Sequence, residues 1–238
     1  METLSLIVKY QNVWMQAHNF YMRNYSILRT KENEALRHVV LRGKTIDLGG
    51  HKGSDYFALL NTDQPVEVAN YDDIQVGTHK TPSMADHVFD LEKPFPLPSS
   101  TYENVLCINV LEHIFNYQNV INESHRILKA GGNVYLSVPF FYNIHGSPSD
   151  YFRYTRMALE RLLREAGFEE IVITEYGDGP CSAIFQNFGG SIPTMTLKLF
   201  FRNIVVGIDR IFSKLSSRYA TIKRRVPLGY FVSAKKNK

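Results

Sequence analysis

The chain has 238 residues, of which 44% are hydrophobic and 13% aromatic, so it is long enough to bury one large core or two small ones. Its two cysteines, Cys107 and Cys181, are too few for a disulfide framework and indicate a reducing compartment, which we expect to be the cytoplasm. No uncharged stretch reaches the roughly 18–20 apolar residues that a membrane span requires, and we expect no secretory signal.

The formal net charge of +4 is distributed unevenly along the chain. From Cys181 onward, eleven Lys and Arg residues stand against a single acid, Asp209, whereas the first 180 residues carry 22 acids and 16 bases. An acidic body with a basic C-terminal region predicts an anionic partner: a membrane surface, a nucleic acid or a phosphorylated substrate. That region lacks the aromatic and basic ladder typical of single-strand binding, so a nucleic acid is the least favoured of the three.

Helical spacing dominates the N-terminal section, which we predict to be helical over residues 1–41, with Gly43 ending it. Strand and helix patterns then alternate. The predicted strands are 45–48, 66–70, a weaker 85–90, 102–110, 133–138 and 169–175, and the predicted helices are 54–60, 116–128 and 155–166. Gly131 and Gly132 are expected to break the chain between helix and strand. This alternation predicts an α/β fold with a Rossmann-like, doubly wound, mostly parallel sheet.

The alternation of strands and helices stops after Pro180. Apolar residues recur at helical spacing, with basic residues interspersed, and residues 226–235 have a strand pattern. We therefore predict an N-terminal helical cap at 1–42, a core at 43–180, and a basic helical insertion with the final strand at 181–238. The apolar stripe of the insertion consists of Leu197, Phe201, Ile204, Ile208, Ile211 and Leu215. It is expected to pack on the sheet, to pack on a second copy in a homodimer, or to lie on an anionic membrane at its inner face.

The stretch IDLGGHKG, residues 46–53, places an acid and spaced glycines where a predicted strand ends and a predicted helix begins. In an open α/β sheet, ligands bind beyond the carboxyl ends of the strands at such a turn. Gly49 and Gly53 would allow close backbone approach, and Asp47 can accept a hydrogen bond from an ammonium group or a loop amide. The spacing differs from the dinucleotide pattern G-x-G-x-x-G, and an ordinary tight turn between strand and helix has the same appearance.

A second stretch, FFYNIHGSPSDYFRYT at residues 140–155, follows a predicted core strand and concentrates polar and aromatic side chains. Aromatic rings stack on sugars, and Asp150 and Arg153 can bond hydroxyls or phosphates. His145 is a candidate general base because the unperturbed pKa of histidine is near neutral. The alternative is that Asp150 and Arg153 pair structurally while His145 caps a loop.

From Lys44 to Glu175 the sequence resembles class I S-adenosylmethionine-dependent methyltransferases. The stretches that carry the resemblance keep the order and spacing of that family: IDLGGHKG, FDLEKPFPLPSSTYENVLCINVLEHI, ESHRILKAGGNVYLSVPF and LERLLREAGF. The pattern H-x-x-P-x-D-Y-F-R-Y-T also resembles methyltransferases of bacterial surface-glycan and polysaccharide biosynthesis. No D/N-P-P-Y/F turn follows the predicted fourth strand, which argues against methylation of exocyclic base or amide nitrogens.

The resemblance implies that S-adenosyl-L-methionine binds at the carboxyl edge of the sheet. The residues predicted to contact its methionine part are Asp47, Gly49, Gly50, His51 and Gly53. The family usually has glycine at the position of His51, so a histidine there requires a different backbone or a left-handed conformation. His51 would either narrow the cofactor pocket or reach a substrate.

The resemblance also implies contacts for the rest of the cofactor. The second strand would supply an acid for the ribose hydroxyls, and Asp72 is preferred over Asn70 because a carboxylate accepts from both hydroxyls. Asp72 is otherwise part of a solvated turn. Asp90 and Leu91 would edge the adenine. Asn109 would face the methyl donor, unless it serves only as a helix cap.

These features predict a methyltransferase that uses S-adenosyl-L-methionine to O-methylate a sugar or a lipid-linked glycan intermediate. We predict that His145 and Asp150 are catalytic and that no residue binds a metal. The residues predicted to contact the acceptor are His113, Tyr151, Arg153 and Tyr154, although His113 also suits loop packing. Two alternatives stay open: a methyltransferase for a quinone, lipid or other small natural product, and a cofactor-binding partner subunit without catalysis.

Overall fold

The computed structural model describes residues 26–71, 73–76, 79–82, 84–146 and 148–237. The chain divides into two compact units. Among the described residues, the larger unit comprises those from 32 to 176 and from 227 to 237, and the smaller comprises those from 26 to 31 and from 177 to 226. Residues 1–25, most of the predicted helical cap, lie outside the described residues, and the predicted domain boundaries at 42 and 180 stay predictions.

Eleven strands and six α-helices are present in the described residues. The strands are β1 (Val40–Leu41), β2 (Thr45–Leu48), β3 (Asn61–Thr62), β4 (Val66–Asn70), β5 (Asp73–Val76), β6 (His79–Pro82), β7 (His87–Val88), β8 (Tyr102–Ile108), β9 (Leu128–Pro139), β10 (Phe168–Tyr176) and β11 (Gly229–Lys236). The helices are α1 (Ile27–Arg37), α2 (Tyr117–Ile127), α3 (Arg156–Glu165), α4 (Pro180–Phe188), α5 (Met195–Leu215) and α6 (Ser217–Lys223). Short 3₁₀ helices cover Asp55–Leu59, Leu111–His113 and Gly189–Ser191.

A seven-stranded sheet in the order β10-β11-β9-β8-β2-β4-β7 forms the centre of the larger unit. Only β11 runs antiparallel to its neighbours in this sheet. The predicted α/β, Rossmann-like, mostly parallel sheet is therefore confirmed, with helical segments before its last strand. Because β2 pairs with β4 on one side and β8 on the other, the strand order reverses at β2. Sheets of this kind bind ligands outside the carboxyl ends of the strands at that reversal.

The apolar residues of the central strands form the core of the larger unit. Ile46 and Leu48 of β2, Val105 of β8 and Leu136 of β9 are all fully buried. Their near-continuous apolar runs fit parallel strands that are covered on both faces. Helix α2 packs on β9 and helix α3 on β10, each through one apolar face. Each buried Leu, Ile or Val contributes about 1.5–3 kcal/mol relative to an exposed one.

Two predicted helical segments differ from the structure. The predicted helix at 54–60 is a single 3₁₀ segment, Asp55–Leu59, and so it offers no long α-helical N-terminus to a ligand. Helix α1 ends at Arg37, before Gly43, and β1 pairs with β3 as a separate two-stranded sheet. The helical periodicity of 1–41 therefore did not predict strand β1 at its end, because a strand of two apolar residues is too short to show a periodic pattern.

Two predicted strands also differ in extent. The strand expected at 85–90 is reduced to His87–Val88, and a hairpin of β5 and β6 precedes it. Strand β9 begins at Leu128 and runs through Gly131 and Gly132, where a break was expected. Gly131 has φ +74° and lies where the register of β8 and β9 shifts. The glycines accommodate a bulge rather than end the element.

The smaller unit is held together by polar groups at helix ends. Gln186 of α4 accepts hydrogen bonds through Oε1 from the backbone of Ile27 at 2.7 Å and Leu28 at 3.2 Å, at the start of α1. Asp209, the only acid of the basic C-terminal region, is buried and accepts from the backbone of Ser182 at 2.7 Å. A carboxylate at the N-terminus of α4 complements the partial positive charge there.

In the larger unit, a buried carboxylate connects α1 to the ends of two central strands. Glu32 is fully buried, and its Oε1 accepts from Asn109 Nδ2 and Ser137 Oγ, each at 2.6 Å. Asn109 follows β8 and Ser137 lies near the end of β9. These bonds fix Glu32, the first residue of the larger unit in α1, at the carboxyl edge of the sheet.

We predict that Glu32→Ala lowers the free energy of unfolding by about 2–4 kcal/mol, because two buried donors would lose their acceptor. Urea denaturation followed by circular dichroism measures this change. Glu34→Ala, an exposed glutamate on the same helix, is the matched control and should change stability by no more than about 0.5 kcal/mol. Equal effects of the two substitutions would contradict the role given to Glu32.

Candidate functional site

A cavity of about 390 Å³ lies in the larger unit at the carboxyl ends of β2, β4 and β8. Its volume falls within the range of about 300–1,000 Å³ that is typical of small-molecule sites. The wall residues that follow β2 and β4 or lie near β7 are Gly49, His51, Asn70, Tyr71, Leu91 and Glu92. Those that follow β8 and β9 are Asn109, Val110, His113, Ile114, Pro148, Ser149 and Tyr151.

The glycines of the turn after β2 make room for side chains of the protein itself. Gly49 has φ +77°, and a Cβ there would lie 2.6 Å from Val110 Cγ1. A Cβ on Gly50 would overlap the Asp47 carboxylate, and one on Gly53 would lie 2.8 Å from His51 Cε1. Gly49 thus keeps the turn against the loop after β8, and of these three glycines only Gly49 lines the cavity.

His51 fits the turn through a different backbone, not through a left-handed conformation, since its φ is not positive. The backbone N–H of Gly53 donates to His51 Nδ1 at 3.1 Å, which leaves the proton of a neutral ring on Nε2. The ring lines the cavity. His51 therefore narrows the cavity beside Gly49 and offers a donor to a ligand.

Asp47 at the end of β2 is fully buried and accepts a hydrogen bond from the Tyr56 hydroxyl through Oδ2. Its Oδ1 has no hydrogen-bond partner within the described residues. Burial raises the pKa of the Asp47 carboxyl to about 7, and the bond from Tyr56 opposes that rise. A buried acceptor without a partner next to the cavity fits the ammonium group that the sequence predicted there.

The end of β4 uses an amide to hold the first turn. Asn70 donates through Nδ2 to the carbonyl of Gly50 at 2.8 Å, so its side chain ties β4 to the turn after β2. The hydroxyl of Tyr71, a cavity residue that the sequence did not single out, donates to Asp90 at 3.0 Å. Asp90 itself is not part of the wall, whereas Leu91 is. Asp72, the predicted ribose acid, lies outside the described residues.

Asn109 occupies a left-handed position, with φ +53°, directly after β8. Its backbone N–H donates to Ser137 O at 2.8 Å and its side chain donates to Glu32. It lines the cavity without capping the 3₁₀ helix that follows, whose N-cap residue is Val110. Its side-chain Oδ1 has no partner among the described residues and can accept a hydrogen bond from a ligand.

The opposite side of the cavity is formed by the 3₁₀ helix at 111–113 and the loop between β9 and α3. Tyr151 donates its backbone N–H to Glu112 O at 2.8 Å, which fastens the loop to the 3₁₀ helix. The predicted acceptor contacts His113 and Tyr151 both lie on the wall, and Ser149 joins them. A histidine, a serine and a tyrosine therefore line the space next to the first turn.

Asp150 and Arg153 form a bidentate ion pair inside this loop, with N–O distances of 2.5 and 2.7 Å. The Arg153 guanidinium holds the pKa of Asp150 at about 2, with help from the backbone N–H of His145, which donates at 2.8 Å. Asp150 is thus an ionised residue that fixes the loop, and its oxygens face Arg153 and His145. This is the structural alternative that the sequence left open for the pair.

Tyr154 differs from its predicted place. It is 5% exposed, it belongs to the core, and its hydroxyl donates to Leu111 O at 3.2 Å. Arg153 is occupied by Asp150 and by the carbonyl of Asn143. Neither lines the cavity, because the loop turns both side chains toward the protein. His145 is also absent from the wall and lies beside His113, with ring centroids 5.0 Å apart.

Glu112 is a further residue of this region that the sequence motifs did not single out. Its carboxylate is fully buried, and burial raises its pKa to about 8. His113 Nε2 lies 3.7 Å from Glu112 Oε1, and burial lowers the pKa of His113. An acid within the apolar run NVLEHI was the available signal, since an isolated buried charge is rare without a function or a partner.

Comparison with known proteins agrees with the sheet topology. A family model described as a methyltransferase domain matches residues 14–173, which is more than half of the chain. Comparison with curated proteins gives no match.

Three solved structures have a similar fold. A methyltransferase from Archaeoglobus fulgidus that depends on S-adenosylmethionine has a TM-score of 0.53 at 12% identity, over 88% of this chain and 92% of its own. One from Thermotoga maritima has a TM-score of 0.51 at 14% identity, over 97% and 96%. Phosphoethanolamine N-methyltransferase 2 of Haemonchus contortus, solved with S-adenosyl-L-methionine, has a TM-score of 0.51 at 15% identity, over 87% and 53%.

Asp47 gives a prediction about pH. Its pKa in the folded chain, about 7, exceeds the ordinary value of 3.8, so the folded state holds a proton that the unfolded state releases between these values. Stability contributed by this site is therefore lost as the pH rises from 4 toward 7. Asp47→Asn keeps an acceptor for Tyr56 and removes the titration. Its stability relative to the unmodified protein should increase by about 1–3 kcal/mol between pH 5 and pH 8.

Urea unfolding at pH 5, 6.5 and 8 measures that difference. Asp55→Asn, which changes an exposed acid in the same segment, is the control and should show no comparable trend. A difference between Asp47→Asn and the unmodified protein that does not vary with pH would show that Asp47 titrates normally.

Proposed function

We propose, from the premise that this chain belongs to the methyltransferase-domain family, that it O-methylates a sugar or a lipid-linked glycan. The observation that supports this proposal is a single cavity with two different sides. One side is the turn after β2 and the ends of β4 and β8, and the other carries His113, Ser149 and Tyr151. A donor and an acceptor can therefore meet within one space in the larger unit.

The methyl donor is S-adenosyl-L-methionine, which supplies a methyl group made electrophilic by a positively charged sulfur. The residues that we propose to hold it are Asp47, Gly49, His51, Leu91 and Asn109, while Gly50 and Gly53 make room for the side chains of Asp47 and His51. The cavity volume, the unpartnered Oδ1 of Asp47 and the donor on His51 fit such a molecule. Asp90 acts indirectly, because it accepts a hydrogen bond from the hydroxyl of Tyr71, which lines the cavity.

The acceptor side suits a hydroxylated molecule. Tyr151 is 47% exposed and stacks edge-on against Phe115, with ring centroids 5.3 Å apart, so its ring is positioned for a sugar face. The Asp150–Arg153 pair fixes the loop that carries Tyr151, so the loop is ordered before the acceptor arrives. Holding the acceptor oxygen in line with the methyl group is the main catalytic contribution that such a site makes.

Methyl transfer to lipid-linked oligosaccharides is the direct test. We expect calorimetry to show binding of S-adenosyl-L-methionine, and mass spectrometry to show one added O-methyl group on the oligosaccharide. Tyr151→Ala should raise KM for the acceptor about tenfold, the equivalent of about 1.4 kcal/mol, without weakening donor binding. Phe141→Ala, an exposed aromatic of the same loop that is not part of the cavity wall, is the matched control.

Other outcomes would identify the alternatives. Methylation of quinols or phospholipids, with none of oligosaccharides, would replace the glycan assignment. Donor binding with no transfer to any of these acceptors would favour a partner subunit without catalysis. A chain that does not bind the donor would overturn the methyltransferase site itself.

Helix α5 supports a place for the enzyme at an anionic membrane. Five of the six residues of the predicted apolar stripe are more than 40% exposed, so the stripe is not buried within the described chain. Phe200 and Phe212 add further exposed apolar area to the helix, at 58% and 48%. No helix in the described part of the chain is both long and apolar enough to cross a bilayer. An exposed apolar helix with basic neighbours suits an interface where a lipid-linked acceptor is presented.

We predict that the protein pellets with anionic vesicles and not with neutral ones, and that salt weakens this binding because exposed charges are screened within about 10 Å at 0.1 M. The triple variant Lys198→Gln, Lys214→Gln and Arg218→Gln should bind at least tenfold more weakly, since each basic residue contributes about 1 kcal/mol. Vesicle sedimentation with quantified protein measures both effects.

The control for that experiment removes three exposed basic residues of the larger unit: Lys93→Gln, Arg161→Gln and Arg164→Gln. It should leave vesicle binding unchanged. Equal pelleting with neutral and anionic vesicles, or equal losses in the two triple variants, would contradict membrane attachment through α5.

A further inference from the structure

The carboxylate of Glu112 lies at the back of the acceptor side without a hydrogen bond. The residue is fully buried in the 3₁₀ helix at 111–113, and neither Oε1 nor Oε2 has a partner within the described residues. A buried carboxylate with no partner costs several kcal/mol. Native proteins rarely leave a buried polar group without a partner, so we expect a hydrogen-bond donor or a cation to bind next to Glu112.

Two imidazoles approach this carboxylate at distances that are too long for hydrogen bonds. His113 Nε2 lies 3.7 Å and His145 Nε2 lies 3.9 Å from Glu112 Oε1. The two rings meet edge to face, with centroids 5.0 Å apart. One atom from each of the three side chains lies within 4.8 Å of the other two.

The hydrogen bond made by Nδ1 of each ring determines whether Nε2 is free to bind a metal. His113 Nδ1 lies 2.5 Å from Ser149 O, and His145 Nδ1 lies 3.1 Å from Asn143 O and 3.4 Å from Asp150 Oδ2. These oxygens only accept, so each Nδ1 must carry the proton and donate. In the neutral form of each ring, an unprotonated Nε2 therefore points toward Glu112. Carbonyl or carboxylate partners on the far nitrogen are the usual support of metal-binding histidines.

We propose that Glu112, His113 and His145 together bind one zinc ion. Zinc bonds to imidazole and carboxylate are about 2.0–2.2 Å long, so two ligand atoms at a tetrahedral angle lie about 3.4 Å apart. The distances from Glu112 Oε1 to the two nitrogens, 3.7 and 3.9 Å, exceed that separation by less than about 1 Å. Side-chain rotations on zinc binding would draw the three ligand atoms together. Two imidazoles with one carboxylate suit zinc, whereas magnesium and calcium prefer oxygen ligands. The His145 side chain is 37% exposed and gives the ion a path from solvent.

The role of this zinc site in catalysis rests on the proposed methyltransferase function. His113 is the ligand that also lines the cavity, beside Ser149 and Tyr151. A three-ligand zinc keeps a fourth position, which here would open toward the acceptor. An acceptor hydroxyl bound there would be oriented and would have its pKa lowered, with its proton released to water. In this arrangement His145 is a metal ligand and not the general base that the sequence predicted.

Zinc binding itself is the test, with the full chain free of any affinity tag and stripped by a chelator. Titration with ZnCl₂ should give one ion per chain, while MgCl₂ should give no binding. Glu112→Gln and His145→Ala should each weaken zinc binding at least about 100-fold. Cobalt in place of zinc should give the visible absorption of a four-coordinate ion, and the same variants should abolish that absorption.

His125→Ala is the matched control. His125 is a half-buried imidazole of the same unit, its Nε2 lacks a partner among the described residues, and it packs against Phe168 with no bound carboxylate. It should leave zinc affinity unchanged. Thermal unfolding shows that each variant is folded, and His145→Ala, at a partly exposed position, keeps the test valid if Glu112→Gln does not fold.

Absence of zinc binding by the unmodified protein, or unchanged affinity in both ligand variants, would overturn the proposal. Stoichiometric zinc lost in both variants supports the site even if no sugar is methylated, so failure of the proposed function is distinguishable. The converse result is also informative. If the chain, stripped of metal, does not rebind zinc and still transfers methyl groups, the zinc site is refuted and the methyltransferase function is supported.

Discussion

Parallel pairing of β2 with β8 is the constraint on which the candidate site depends. It places the carboxyl ends of the two strands side by side at the point where the strand order reverses. The chain leaves both strands through left-handed residues, Gly49 at φ +77° and Asn109 at φ +53°. These two turns bend away from the sheet together, and the cavity lies at their edge. A side chain on Gly49 would collide with Val110 and push the turns apart.

Buried acids occur in both units, and they differ in how their oxygens are matched. Glu32 accepts from Asn109 and Ser137, and Asp209 accepts from the start of α4, so both stabilise elements. Asp47 has one oxygen bound to Tyr56 and the other unmatched. Glu112 has neither matched. The unmatched oxygens belong to Asp47, which precedes the turn at Gly49, and to Glu112, which precedes the wall residue His113. A ligand or an ion can complete buried acceptors of this kind.

In the loop between β9 and α3, some residues fix the loop and others line the cavity. The Asp150–Arg153 pair and the backbone bonds to Glu112 hold the loop in place. Tyr151 and Ser149 then reach the cavity from a rigid support. Loops that bind substrates are most effective when a rigid scaffold fixes them in this way. Substitutions of Asp150 would therefore move several contacts at once, whereas substitutions of Tyr151 change one.

The fold was predictable from the sequence because the periods of its strands and helices are local properties. Strand and helix alternation specified a parallel sheet, and the acid and glycines after the first strand marked the turn that lines the cavity. The exceptions are short or irregular elements, such as β1, β7 and the bulge at Gly131, where two or three residues carry no period. Proximity of Tyr151 to His113 followed from motif order and from the edge that parallel strands share.

What the sequence could not determine is the direction in which each side chain points. Tyr154 and Tyr151 are three residues apart in one motif, yet one enters the core and the other the cavity. Asp150 could have been a catalytic acid or half of an ion pair until Arg153 was placed beside it. Glu112, His113 and His145 converge only because an apolar turn and a distant loop pack together. Such convergence depends on contacts between residues far apart in the chain, and so only the tertiary structure decides it.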